Sequence, residues 1–336
     1  MPLKGYTCPP GMPTAGNRND VEWCLAKCPH PCVAPPLLAA MYEAEVSNHH
    51  TGAYISASML AGNNCGRQTV FERTYDFYEH PTRRYWPFRG THCHTIIEGA
   101  APRIAKYGWL QEMRMQVPLV YADEPAPIFD DQGGFTGKFD ENAPLTITLG
   151  GTLDAYNPKE PPYPLWDMKS TADAKAEMLI KGQKGGTYSK NLEDRWVIQT
   201  NVYRWMVSKT EIPSAIKRRL KLKGKYFPAP EFLGIQALGM MAIPRTGIPY
   251  LFKKGRQEEL YHIDDVPVLP LEEIETLVRR EALKWYRWLV LGEMPPVVEE
   301  ERAWMCKSCP FNGELIPGER CFPNYERRDG GHIEVE

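Results

Sequence analysis

Residues 145–171 read LTITLGGTLDAYNPKEPPYPLWDMKST. The run TITLGGTLDAY alternates threonine with larger apolar residues, as a half-buried strand does. The linker NPKEPPYP is rich in turn formers, so the segments on either side of it are expected to pair antiparallel. In the second segment Asp167 and Lys169 stand two apart, which puts both on one face of a strand. Met168 between them points to the other, apolar face. Asp154 lies on the first strand, so two carboxylates converge with an ammonium beside them. Buried in apolar runs without a purpose, such a group costs several kcal/mol. It suits a hard cation such as Mg²⁺ and a phosphodiester under attack, with Lys169 orienting water or steadying the transition-state charge.

Around this pair the periodicity gives an ordered set of elements. Residues 90–108, GTHCHTIIEGAAPRIAKYG, predict a helix with His94, Ile97 and Glu98 on one face. His94 can ligate a metal through its imidazole, and Glu98 can ligate it or orient the site. Strands are expected at 113–121, 144–156 and 164–169. The polar stretch 181–191, KGQKGGTYSKN, reads as a mobile loop. Residues 192–208, LEDRWVIQTNVYRWMVS, read as a strongly amphipathic helix that brings Gln199 and Tyr203 to one face. Strands at 232–243, 248–254 and 258–264 follow, then a long helix at 270–293. Upstream, Asn19 with Glu22 resembles a capping box for a helix ending near Cys28. Residues 37–62 give a helix, a turn and a second helix start with Ser56 and Ser58 as caps, and 64–86 continue as helix and loop. This order predicts an α/β fold: a central mixed β-sheet flanked by helices, with cysteine-rich terminal segments.

The chain has 336 residues, enough for one large domain with insertions or for two. Its net charge of −2 gives no global field toward nucleic acid, so any DNA contact must be local. Residues 209–225, KTEIPSAIKRRLKLKGK, supply one candidate with seven basic residues against one Glu. Lys217, Arg218, Arg219, Lys221 and Lys223 are its centre, and a solvated helix face is the plain alternative. No apolar run is long enough to span a membrane, and the start MPLKGYTCPPG lacks the apolar core of a secretory signal. The chain is therefore expected in the cytoplasm, where its nine cysteines stay reduced. Their grouping toward both ends points to metal or cluster ligation. Cys24 and Cys28 share a helix face, and with Cys8 and Cys32 they can form a zinc site, with His30, His49 or His50 as substitutes.

The ordered set Gly90-x-x-x-His94, Gly151-x-x-Asp154, Asp167-Met168-Lys169 and Gln199-x-x-x-Tyr203 resembles the RecB-like branch of the PD-(D/E)XK nuclease superfamily. The likeness runs over roughly residues 55–325, and its strength lies in the order of four motifs that are each weak alone. It implies a restriction-endonuclease-like nuclease core. It also implies a metal-dependent DNA nuclease in which His94, Asp154, Asp167 and the backbone carbonyl of Met168 bind Mg²⁺ or Mn²⁺. Lys169 is then catalytic, with Gln199 and Tyr203 supporting it. Trp196, Tyr203 and Trp205 are candidates to stack on a single strand, with packing in the core as the alternative.

One cysteine before the histidine motif and three near the C-terminus are similar to the iron–sulfur RecB-like exonucleases, which include the CRISPR-associated and AddB-type groups. That resemblance implies a [4Fe–4S] cluster on Cys65, Cys306, Cys309 and Cys321, tying together segments about 240 residues apart. Zinc fits the same four thiolates. The gap from Cys309 to Cys321 is wider than the family's, and the family leaves Cys8, Cys24, Cys28 and Cys32 unexplained. The expected division is a cysteine-rich segment at 1–54, a nuclease domain at 55–325 and a tail at 326–336. The expected activity is exonucleolytic hydrolysis at single-stranded DNA ends, with recombination or CRISPR-adaptation proteins as partners. A DNA-end-binding subunit with little activity of its own is the alternative reading.

Overall fold

The computed structural model describes residues 3–9, 11–48, 54–62, 65–74, 77–99, 101–132, 134–158, 165–171, 186–189, 192–211, 213–221, 238–244, 266–296, 309 and 311. The chain forms two compact units. The first collects Met1–Ala53, Asn64–Thr91 and Arg287–Glu336; the second collects Tyr54–Asn63 and His92–Tyr286. A single boundary near residue 54 therefore does not describe the division. The reason is a shared core: Val70, Phe71 and Phe77 pack with Leu3, Tyr6 and Leu38 of the N-terminal segment.

The first unit is built on a small mixed sheet. Strand β1 (Leu3–Thr7) pairs antiparallel with β2 (Arg18–Asp20) and parallel with β4 (Phe77–Glu79). Helix α1 (Val21–Ala26) starts behind Asp20 rather than Asn19, and no side chain caps it. The expected capping box is absent because Asn19 is a strand residue whose amide turns to the Cys8 sulfur instead. Helix α2 (Pro35–Asn48) begins on two prolines, which suit a first turn whose N–H groups have no partner in the helix. It buries Leu38 and Met41, three apart, against the sheet core. Helix α4 (Gly66–Thr74) carries Phe71, whose ring meets Phe311 at 5.4 Å edge-on. Strand β4 falls in a stretch that reads as loop from sequence.

The second unit is a mixed α/β layer. Strands β5 (Leu110–Phe129) and β6 (Phe135–Tyr156) form one long antiparallel hairpin. Strand β6 then pairs antiparallel with β7 (Leu165–Thr171), as the turn-rich linker predicts, and β7 pairs parallel with β8 (Leu238–Pro244). The short β3 (Ile55–Ser56) joins β6 in parallel at Leu149 and Gly150. Ser56 caps α3 (Ala57–Leu60), its hydroxyl accepting from the Met59 N–H, while Ser58 only meets the Ser56 hydroxyl. Alternation drives the hairpin core: Met115, Val117 and Leu119 on one strand, Leu145, Ile147 and Leu149 on the other, are all buried. Beyond Tyr121 the hairpin runs on as a largely exposed ribbon, although the sequence predicts strands only at 113–121 and 144–156. Proline at 125 and 127 hides that extension in the sequence, yet an edge strand tolerates it.

Helices α5 (Pro81–Glu98) and α6 (Ala101–Ala105) replace the single helix expected at 90–108. Helix α7 (Asp194–Lys209) is buried nearly all round from Trp196 to Ser208, not amphipathic. Buried Asn201 explains how a polar residue survives there. Its amide nitrogen donates to the carbonyls of Val197 and Pro267, and its oxygen accepts from the Leu269 N–H. A short helix, α8 (Ser214–Leu220), follows, and α9 (Leu271–Leu289) starts at the expected place. The expected strands at 248–254 and 258–264 lie outside the described residues. Of the loop at 181–191, residues 186–189 are described and are irregular. Among the described residues, no helix is long and apolar enough to cross a membrane.

Candidate metal centre

The register of the second sheet lines up three carboxylates across three neighbouring strands. Gln111 pairs with Ala155 and Met113 with Leu153, so Glu112 stands across from Asp154. Ala155 pairs with Trp166, so Asp154 stands across from Asp167. Residues directly opposite in an antiparallel pair share a face. The row Glu112, Asp154, Asp167 is thus a consequence of pairing, not of sequence proximity.

Helix α5 brings His94 onto this row. Its Nδ1 lies 3.5 Å from Asp154 Oδ1 and 3.9 Å from Glu112 Oε1. One donor atom from each of His94, Glu112 and Asp154 falls within 4.8 Å of the other two. A single cation can reach all three with small side-chain adjustments. The Asp154 carboxylate is oriented from its other side: Met168 N–H donates to Oδ2 at 2.6 Å. Asp167 Oδ2 lies 2.8 Å from Lys169 Nζ, and that ammonium donates to Gln199 Oε1 at 3.1 Å. Gln199 Nε2 in turn donates to the Tyr203 hydroxyl at 3.4 Å.

Two glycines let neighbours come this close. A Cβ at Gly151 would sit 3.0 Å from the Tyr203 ring, and one at Gly150 would sit 2.3 Å from the Tyr54 ring. The GG pair in the opening motif is therefore a packing requirement for α7 and for the start of β3. Glu112 shows the opposite economy. It holds φ at +49° although it is not glycine. Such backbone costs on the order of 1–3 kcal/mol and gathers at functional sites.

The electrostatics follow from crowding. Burial, reinforced by the neighbouring Asp167, pushes the Asp154 carboxyl from 3.8 up to about 7. His94 is raised as well: the adjacent Glu112 carboxylate favours the imidazolium, against the effect of burial, and Asp154 adds to it. Glu112 Oε1 is buried with no hydrogen-bond partner. A site that holds protons on a carboxyl and leaves another carboxylate oxygen unpartnered is short of positive charge. A cation held by the His94, Glu112 and Asp154 donors could supply what is missing.

The structure brings together most of the residues expected from sequence: His94, Asp154, Asp167, Lys169, Gln199 and Tyr203. Met168 reaches the site through its N–H. Glu98 is exposed and is not among the gathered donors, and Glu112 takes the place expected for it. The cause is simple. Glu98 lies one turn beyond His94 on a helix, whereas Glu112 reaches the site through strand register. The signal for Glu112 was the distance from Asp154 across the hairpin, which needs the register to be known.

Trp196 and Trp205 are buried in the core, and Tyr203 is buried as well, so none of the three offers a face to a strand of DNA. Trp205 Nε1 instead points to Glu275 on α9, at 3.4 Å. Lys217, Arg218, Arg219 and Lys221 are exposed at the end of α8, where cations also complement the helix dipole. Lys223 lies outside the described residues. Cys65 and Cys309 are both buried in the first unit, Cys65 just before α4 and Cys309 packed with Phe71 and Phe311. Cys306 and Cys321, like His49 and His50, lie outside the described residues.

No protein-family model matches this chain, and no curated protein does. Among solved structures it is similar to one described as the crystal structure of SSO0001. The identity is 14% and the TM-score 0.40, over 82% of this chain and 91% of that chain.

Proposed function

We propose that this protein is a Mg²⁺- or Mn²⁺-dependent deoxyribonuclease with a restriction-endonuclease-like core, acting as an exonuclease on single-stranded DNA ends. One observation carries the reading. His94, Glu112 and Asp154 offer donors within 4.8 Å of one another, beside a lysine held by both Asp167 and Gln199. Carboxylates alone are a common surface feature. An ammonium fixed next to the buried carboxylates of Asp154 and Asp167 is not. The DNA substrate rests on the order of the four motifs and on the exposed basic end of α8.

His94, Glu112, Asp154 and Asp167 would hold the cation, and the cation would lower the pKa of a bound water and polarise a phosphoryl oxygen. The chain's own residues do the rest. The Met168 N–H keeps Asp154 turned toward the site. Asp167 and Gln199 hold Lys169 where its ammonium can meet charge as it builds on the phosphate oxygens. Gln199 is itself oriented by Tyr203, so the lysine cannot swing into the core. Cys65 and Cys309, with Cys306 and Cys321, would hold an iron–sulfur cluster, and the burial of the first two suits a structural role.

End-labelled single- and double-stranded DNA, incubated with Mg²⁺ or Mn²⁺, tests the reading. The expected result is stepwise loss of label from single strands by wild type, none in EDTA, and a loss about 10²- to 10³-fold slower with Lys169→Met. DNA binding without cleavage under every metal condition would overturn it in favour of an end-binding subunit. Anaerobically purified protein that is colourless and free of iron would remove the cluster.

A further inference from the structure

The N-terminal cysteines lie away from the carboxylate site in sequence and belong to the other compact unit. Cys8 follows β1, Cys24 sits in α1, and Cys28 and Cys32 lie in the segment that leads to α2. The structure draws them around one cavity, whose lining includes all four thiols together with His30, Thr14 and Leu38. A hairpin-like loop brings Cys8 there: its N–H donates to Asn17 O, and Gly16 N–H donates back to Cys8 O.

The sulfurs stand among polar groups that both donate to them and accept from them. Cys8 Sγ accepts from the Thr14 hydroxyl at 3.3 Å and from the Asn19 amide at 3.3 Å. Cys24 Sγ donates to Asn19 O at 3.8 Å, and burial together with the neighbouring thiols raises the Cys24 and Cys32 thiols above their ordinary value. A thiol is a weak acceptor, and directing several donors to it is rewarded only when the sulfur carries charge. Donors of this kind are also the usual outer shell of a metal–thiolate centre. Four negative sulfurs around one cavity repel one another unless a cation lies between them.

We propose that Cys8, Cys24, Cys28 and Cys32 form a second metal centre of four thiolates. It would be separate from the carboxylate site and from the cysteines near the C-terminus, and it would take either one zinc ion or an iron–sulfur cluster. Both use the same ligand chemistry. No three of the four sulfurs lie within 4.8 Å of one another. A zinc ion therefore requires the sulfurs to draw together, whereas a cluster accepts a wider spacing. In either case the centre staples the end of β1 to α1 and to the segment before α2, in a unit with a small core.

The test uses the full chain purified anaerobically. Zinc, iron and acid-labile sulfide are measured per chain for wild type and for the Cys24→Ser/Cys28→Ser double variant. The expected result is that the variant loses one zinc, or loses a cluster's iron and sulfide, relative to wild type. Equal metal content in the two proteins overturns the proposal. A second measurement does not depend on the variant folding. Cys32 is exposed, so as a free thiol it should be alkylated at the same rate in the native protein with and without a chelator. Protection of Cys32 that a chelator or an oxidant of the cluster removes supports the centre. Alkylation of Cys32 in metal-replete wild type at a rate that neither a chelator nor an oxidant changes, or a disulfide among the four cysteines, overturns it.

Discussion

Replacing Asp154 by asparagine separates a cation site from a structural carboxylate. The change keeps shape and still offers an oxygen to the Met168 N–H, which now sits 2.6 Å from Asp154 Oδ2. What it removes is the charge. Moving the carboxyl from its ordinary 3.8 to about 7 corresponds to about 4 kcal/mol, at about 1.4 kcal/mol per tenfold change in proton affinity. The side chain of His94 beside it is 29% exposed, so water screens part of this and about 2 kcal/mol is expected. The sign follows from the direction of the shift. The folded protein binds this proton more tightly than the unfolded chain. The stability from that proton is complete below about pH 4 and is lost as pH rises through about 7. In EDTA at pH 8, Asp154→Asn should therefore be more stable than wild type by about 2 kcal/mol, and the two should converge near pH 4. Saturating Mn²⁺ should reverse the order, because a ligand at 100 times its Kd stabilises by about 2.7 kcal/mol and the variant has lost a ligand. Urea unfolding at pH 4, 6 and 8, with and without Mn²⁺, measures all of this. A variant less stable than wild type in EDTA at pH 8, or a Mn²⁺ effect equal in both proteins, refutes the reasoning.

Lys169→Met should lower the cleavage rate by about 10²- to 10³-fold, the usual loss when one charge-stabilising donor is removed, while the Mn²⁺-dependent rise in Tm persists. Glu112→Gln should weaken divalent-cation binding by about 10- to 100-fold. Because Glu112 is the main cause of the raised His94 pKa, the same variant should lower that pKa, read from the imidazole NMR titration. Glu112→Gly, which also relieves the φ of +49°, should be more stable than Glu112→Gln in the absence of metal by about 1 kcal/mol. Asn201→Ala leaves the Leu269 N–H and the Pro267 carbonyl without their partner, and should cost about 2–3 kcal/mol in urea unfolding.

Much of the site could be read from residues 145–171 because its geometry is local. Asp154, Asp167 and Lys169 are related by one turn and by period two, and both are visible in a string of letters. The antiparallel pairing of β6 with β7 followed from the linker alone. Glu112 was hidden because its place depends on the register of a hairpin whose strands run far past their apolar cores. Prolines and acidic residues in 122–143 signal loop, and only pairing across the ribbon makes them strand. The burial of α7 was hidden for a related reason. Its arginine, asparagine and threonine look like a solvent face. They are instead paired inside: Arg204 donates to Leu269 O and Thr200 to Trp196 O. Sequence shows which residues are polar, not whether a carbonyl waits for them.

The metal-free site carries two unfavourable features that a structural role does not explain. Asp154 and Asp167 crowd charge that Lys169 only half balances, and Glu112 is held in strained backbone with a buried oxygen that meets only the His94 imidazole, at 3.9 Å, among the described residues. Each would be relieved by a smaller or apolar residue, although at Asp154 this would also remove the acceptor of the Met168 N–H. A fold that keeps three carboxylates in register across three strands, next to one imidazole, is less stable empty than loaded. On the proposed function the same crowding would act on the choice of cation. A monovalent ion would leave the row under-compensated. A divalent cation, as proposed, would be held by the repulsion it removes as much as by the bonds it makes.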